Sequence, residues 1–138
     1  MPLNLSIVTQ EKELLSEEVE SITVMTTSGE ITLLPSHVPL MTKLADTELI
    51  YRIKGQSKGI AISGGFLNME PNNKVVVLAD AATRSEDINE AKAEEARQRA
   101  YTATQNEKLS RTQIQLAEGE LRKAILELKV ARRRKTSL

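Results

Sequence analysis

The run Lys74-Val75-Val76-Val77-Leu78-Ala79 gives way, past Thr83, to Asp87-Ile88-Asn89-Glu90-Ala91-Lys92-Ala93. The first stretch is rich in β-branched residues and follows a turn signal at Pro71-Asn72-Asn73. The second offers an acidic N-cap, Asp87, with Glu90 three residues on, and leads into Ala, Glu, Lys, Arg and Gln, all good helix formers. A β-rich segment therefore ends near Ser85 and a helical one begins. Five of the six glycines and all four prolines precede that point, so the turns belong to residues 1–84.

Upstream, Leu3, Leu5 and Ile7 alternate with Asn4, Ser6 and Val8, and Ile22, Val24 and Thr26 with Ser21, Thr23 and Met25. This is the period of strands with one buried face. Further short strands are predicted at 31–34, 49–53, 59–62, 66–69 and 74–79. Ser28-Gly29, Lys54-Gly55-Gln56, Gly64-Gly65 and Pro71-Asn72-Asn73 would separate them. Many short strands at near-regular spacing read as a sandwich or barrel. Its filling is aliphatic, with Phe66 expected in the core.

Downstream, Ala93, Ala96, Ala100 and Ala103 recur at helical spacing and form a stripe of small side chains that buries little area. Thr104-Gln105-Asn106-Glu107 repeats the capping pattern, which predicts a turn there and a second helix over 107–133. Its apolar face comprises Ile114, Ala117, Leu121, Ala124 with Ile125, Leu128 and Ala131, and Gly119 is a candidate bend. The two helices form a hairpin with few ways to bury itself. It must dock on the sandwich, on a partner, or on each in turn, and the last is what a population switch requires.

Composition excludes several function classes. The chain has 138 residues, no cysteine, one histidine and 2% aromatics. Disulfide scaffolds, cysteine nucleophiles and Cys/His zinc sites are removed together, and a base-stacking platform has almost no material. No metal or other cofactor is expected, and no nucleic-acid partner. No apolar run approaches the roughly 20 residues of a membrane helix. Met1-Pro2-Leu3-Asn4 leads directly into alternating residues, so a mature start is expected. The zero net charge is a cancellation: residues 1–84 carry 10 acidic and 7 basic side chains, residues 85–138 carry 9 and 12. Such asymmetry points to an interaction surface at the basic end.

Three stretches, in order, resemble the epsilon subunit of the rotary ATP synthase. They are Ser28-Gly29-Glu30-Ile31 running into Leu34-Pro35-Ser36-His37-Val38-Pro39-Leu40; Ile60-Ala61-Ile62-Ser63-Gly64-Gly65-Phe66-Leu67; and Val75 to Ala82 followed by Glu86-Asp87-Ile88. The opening Leu3-Asn4-Leu5, Val8-Thr9 and Ser16-Glu17-Glu18-Val19 looks like the cyanobacterial and plastid branch, which implies the stromal or cytoplasmic face of a thylakoid membrane. The resemblance implies an all-β N-terminal sandwich of about ten strands (1–84), bound to the gamma subunit and seated on the c-subunit ring. A C-terminal α-helical hairpin (85–138) would follow, inhibiting ATP hydrolysis by extending into the catalytic head. It implies no active site, membrane association through the complex alone, and a monomer when isolated.

The resemblance also implies site residues. Glu30, Ser36, His37 and Val38 belong to the loop facing the c-ring. Arg122, Lys123, Lys129, Arg132, Arg133 and Arg134 are the cations expected to meet acidic segments of the alpha and beta subunits. Ile88, Asn89, Lys92 and Ala93 align with the stretch where some bacterial relatives carry Ile/Leu-Asp-x-x-Arg-Ala and bind ATP. Here Asn89 lacks the carboxylate and Lys92 lacks the bidentate fork of arginine, so nucleotide binding is not expected.

Plainer readings stand beside these. A single histidine on a proline-bounded loop lacks the partners that catalysis or a metal needs, so His37 reads as a contact residue. Gly64-Gly65 lacks the lysine and spacing of a phosphate loop and reads as a turn or close-packing element. The basic tail is open to a solvated face, a membrane surface or a nucleic-acid patch. An ATP-sensing module, with nucleotide clamping the hairpin, is the rival function. A hydrolytic enzyme has little support, because carboxylate pairs such as Glu94-Glu95 fall on charged helix faces.

Overall fold

The computed structural model describes residues 2–136, and side chains as far as residue 133. Eight strands come first: β1 (Leu3–Val8), β2 (Glu13–Val19), β3 (Ser21–Thr26), β4 (Gly29–Leu33), β5 (Leu40–Leu44), β6 (Thr47–Ile53), β7 (Gln56–Met69) and β8 (Lys74–Arg84). A 3-10 turn, Ser85–Asp87, leads to helices α1 (Glu90–Thr104) and α2 (Arg111–Thr136). The chain forms two compact units, Met1–Arg84 and Ser85–Leu138.

The first unit is built around two long strands that each serve two layers. The Gln56–Ile62 part of β7 pairs with β6, whereas Gly65–Met69 pairs with β5. β8 changes partners in the same way: Lys74–Leu78 lies parallel to β1, and Ala81–Arg84 pairs with Ser63 to Ile60 of β7. One layer is therefore β2-β1-β8-β7-β5 and the other β4-β3-β6-β7-β8. The structure has eight strands where about ten were expected, because β7 and β8 each run through both layers.

Gly64-Gly65 is not the turn the sequence suggested, because the β7–β8 pairing keeps one register on both sides of Gly64, from Ile60↔Arg84 to Ser63↔Ala81 and from Gly65↔Ala79 to Met69↔Val75. It marks where β7 exchanges β6 for β5. Gly64 has φ 63°, a conformation that costs L-residues energy, and its N–H donates to Asp46 Oδ1 at 3.0 Å. The turn expected over Lys54-Gly55-Gln56 is a two-residue hairpin between β6 and β7, made by Lys54 and Gly55 with φ 52° and 75°, and Gln56 already belongs to β7.

The core is aliphatic, with Leu3, Ile7, Ile22, Leu33, Leu49, Ile60, Ile62, Leu67, Val75 and Val77 all fully buried. Its one aromatic is Tyr51, not Phe66, which is 54% exposed. The period-2 rule explains the correction: Gly65, Leu67 and Met69 point inward, so Phe66 must point out. Two strands escaped the sequence reading. In β2 only Leu15 and Val19 are buried among charged neighbours, and β5 buries Leu44 alone.

In the second unit the helix boundaries differ from expectation. Asn89, not Asp87, caps α1, its Oδ1 accepting the Lys92 N–H at 3.0 Å. The second capping box is Ser110-Arg111-Thr112-Gln113 rather than the one at Thr104: Ser110 Oγ accepts the Gln113 N–H at 3.2 Å, and Gln113 Oε1 accepts the Ser110 N–H at 2.9 Å. Ala93 and Ala100 are buried, as are Ala117, Ala124, Leu128 and Ala131. Ile125 is 49% exposed, whereas Leu126 and Val130 are buried on the opposite side of α2 from Ala124 and Leu128. The helix runs unbroken through Gly119. No helix is long and apolar enough to cross a membrane among the described residues.

Candidate functional site

Two surfaces carry the residues singled out by the sequence. On the sandwich, β4 leads into a proline-bounded loop. The His37 N–H donates to the Leu34 carbonyl at 3.0 Å, closing a turn with Pro35 in its second place and Ser36, φ 68°, in its third. These are the positions and the sign that a type II turn requires. His37 Nδ1 lies 2.7 Å from the Val38 carbonyl, so that nitrogen carries the proton. Nδ1 is thus spent on the loop's own backbone. Val38 is 74% exposed and Leu34 56%.

The structure brings Ser36, His37 and Val38 together but separates Glu30 from them. Glu30 is the second residue of β4, opposite Met25, and Leu34 lies four residue steps of extended chain further on, about 13 Å at roughly 3.3 Å per residue. The acidic and the neutral parts of the expected ring contact sit at opposite ends of one strand.

The sequence reading missed the outer face of the β5-β7-β8 layer. Phe66 pairs with Leu78 on one side and Lys43 on the other, and Met41 pairs with Asn68 two residues on. Directly opposed residues share a face, so Met41 (74% exposed), Phe66 and Leu78 (57%) form one exposed apolar patch. Strict alternation about Leu67 was the available signal.

In the hairpin, four acidic or basic side chains join the helices' surfaces. Arg132 Nε lies 3.5 Å from Glu90 Oε1 and its Nη2 3.7 Å from Glu94 Oε2. Arg97 Nε donates to Glu94 Oε2 at 3.1 Å, and that hydrogen bond holds the Glu94 carboxyl below its ordinary value. Arg122, Lys129 and Arg133 are exposed and stand seven and four residues apart, one stripe on α2. Lys123 is exposed off that stripe, and Arg134 lies outside the described side chains. All four residues of the nucleotide-like stretch have structural work: Ile88 and Ala93 are buried, and Asn89 caps the helix through the Lys92 amide. Among the described residues no group of His, Asp and Glu side chains is placed to hold a metal.

The family described as "ATP synthase, Delta/Epsilon chain, beta-sandwich domain" matches residues 2–85. The chain belongs to the ATP synthase epsilon family. The ATP synthase epsilon chain of Herpetosiphon aurantiacus is 42% identical over 135 residues, 98% of each chain. That of Desulforamulus reducens is 39% identical over 127 residues, 92% of this chain and 95% of its own. Epsilon is an accessory subunit of the synthase, without catalysis of its own. Among solved structures, a chain of the Euglena gracilis mitochondrial ATP synthase (OSCP/F1/c-ring, rotational state 1) has a TM-score of 0.69 at 25% identity. It covers 94% of this chain and 80% of that one. A chain of the Tetrahymena thermophila mitochondrial ATP synthase central stalk and c-ring shares the fold, with a TM-score of 0.59 at 15% identity over 95% and 97% of the two chains.

Proposed function

We propose that this epsilon chain works in two parts. Residues 1–84 bind the gamma subunit and rest on the c-subunit ring, transmitting rotation, and residues 85–138 restrain ATP hydrolysis by reaching the alpha and beta subunits. The observation that carries this is the build of the hairpin: its inner seam is mainly alanine (Ala93, Ala100, Ala117, Ala124 and Ala131, with Leu128), closed by exposed ion pairs from Arg132. Such a seam buries little apolar area per residue, so the hairpin can exchange one docking surface for another. The Met41, Phe66 and Leu78 patch supplies an apolar face for gamma. Arg122, Lys129 and Arg133, with Lys123, Arg132 and Arg134, supply the positive charge for acidic segments of the head.

The test is hydrolysis by a catalytic core lacking this subunit, titrated with the full chain and with a truncation ending at Arg84. Inhibition by the full chain alone, saturating near one copy per core, is expected. Equal inhibition by both would move the brake into the sandwich. Calorimetric titration with ATP separates the rival nucleotide-sensing role, for which micromolar binding is required.

The membrane follows from the complex: the chain is a peripheral subunit of a membrane-bound synthase. The finer reading, a thylakoid location in the cyanobacterial and plastid branch, rests on Leu3-Asn4-Leu5, Val8-Thr9 and Ser16 to Val19. The bacterial relatives above do not single out that branch, and membrane fractionation of the source cells is its test.

A further inference from the structure

Asn73 ties three separate segments of the sandwich together. Its side-chain Oδ1 accepts the Ser36 backbone N–H at 2.7 Å, across 37 residues of sequence. Its backbone carbonyl accepts the Asn4 N–H at 2.9 Å, fixing the β7–β8 turn to the start of β1. Ser36 and Asn73 both have left-handed backbones, φ 68° and 65°. Asparagine adopts that region readily; serine does so less often. The bond therefore joins a residue suited to its conformation to one that needs holding.

The loop so held has a distinctive chemistry. From Ile31 to Thr42 there is no Asp, Glu, Lys or Arg, yet Leu34 and Val38 are largely exposed. A neutral apolar contact of this kind depends on shape more than on charge, and a segment ordered before contact loses less freedom on binding.

We propose that Asn73 is a positioning residue for the synthase: it presets the 34–40 loop in the conformation that meets the c-ring, without being the contact. The proposal rests on the reading of that loop as a ring contact. Asn73→Gly keeps the left-handed backbone and deletes only the acceptor. Asn73→Asp keeps the acceptor.

The experiment uses the whole synthase in membrane vesicles, reading proton pumping per ATP hydrolysed, with amide hydrogen exchange on the isolated chain. The Ser36 amide is expected to be protected in the wild type and to exchange at least tenfold faster in Asn73→Gly. Pumping per ATP is expected to fall severalfold in Asn73→Gly, with binding to gamma unchanged, and to return within twofold of wild type in Asn73→Asp. Val38→Asp, which disrupts the contact directly, should lower pumping at least as much. If Val38→Asp uncouples and Asn73→Gly does not, the positioning role is overturned while the loop remains a contact. If Val38→Asp also pumps normally, the ring-contact reading falls and the proposal with it. A Ser36 amide unprotected in the wild type overturns the proposal even where Asn73→Gly fails to fold.

Discussion

Arg132, about one turn from the described end of α2, reaches Glu90 in the first turn of α1, Nε to Oε1 at 3.5 Å. It also stands 3.7 Å from Glu94 Oε2, one turn further along α1. One guanidinium therefore bridges two carboxylates at the open end of an alanine seam. Because its side chain is 63% exposed, solvent screens both pairs and each contributes little.

Arg132→Ala should loosen the hairpin without unfolding it. Hydrogen exchange at the Ala93 and Ala100 amides is expected to speed up by about two- to tenfold, within the range that exposed pairs allow. Sandwich amides such as those of Ile60 and Leu67 should not change. Unaltered exchange along α1 would show that the seam holds without its ion pairs.

The hairpin should weaken in acid. The hydrogen bond from Arg97 lowers the Glu94 carboxyl from its ordinary 4.5 in the folded chain. A lowered folded value means the stabilisation is complete above pH 4.5 and is lost as pH falls through that lower value. Circular dichroism of the full chain should show helix loss in that window, smaller in high salt, which screens exposed groups. Glu94→Gln should abolish the dependence, and a pH profile identical to wild type would contradict the assignment.

Gly119→Ala should stabilise α2. An added Cβ meets nothing closer than Arg122 Nη2 at 4.0 Å, and alanine is favoured over glycine in a helix interior by about 1 kcal/mol. Slower exchange across residues 115–123 is the expected result. If the bend suggested by the sequence is needed for docking, inhibition of hydrolysis should weaken in the same variant.

Gly64→Ala should destabilise the sandwich by about 1–3 kcal/mol, as a non-glycine residue forced into a sparsely populated region does. Its Cβ would overlap the Asp80 carboxylate, in a backbone with φ 63°. Chemical denaturation measures this directly, and an unchanged midpoint would mean that β7 can straighten where it changes partners.

Phe66→Ser separates stability from binding. At 54% exposure beside Leu78, the ring's removal should change stability by no more than about 0.5 kcal/mol, yet association with gamma is expected to fall about tenfold or more. Wild-type association would take the patch out of the gamma interface.

Short-range regularities were legible in the sequence because they are written in neighbouring residues. Alternation fixed the faces of β1 and β3, Lys54-Gly55 placed a hairpin, and Ala93, Ala96, Ala100 and Ala103 drew the seam of α1. The motif run through His37 and Gly64-Gly65 pointed to the epsilon family. Where several local signals competed, the choice was tertiary: Asn89 and Ser110 won the caps from Asp87 and Thr104, whose patterns are equally acceptable to an isolated helix. Only the fold could run β7 through two glycines into a second layer, and bring Asn73 to Ser36 and Arg132 to Glu90. Those pairings join residues far apart in the chain, and their partners are selected by sheet register and helix packing, which no local window of sequence contains.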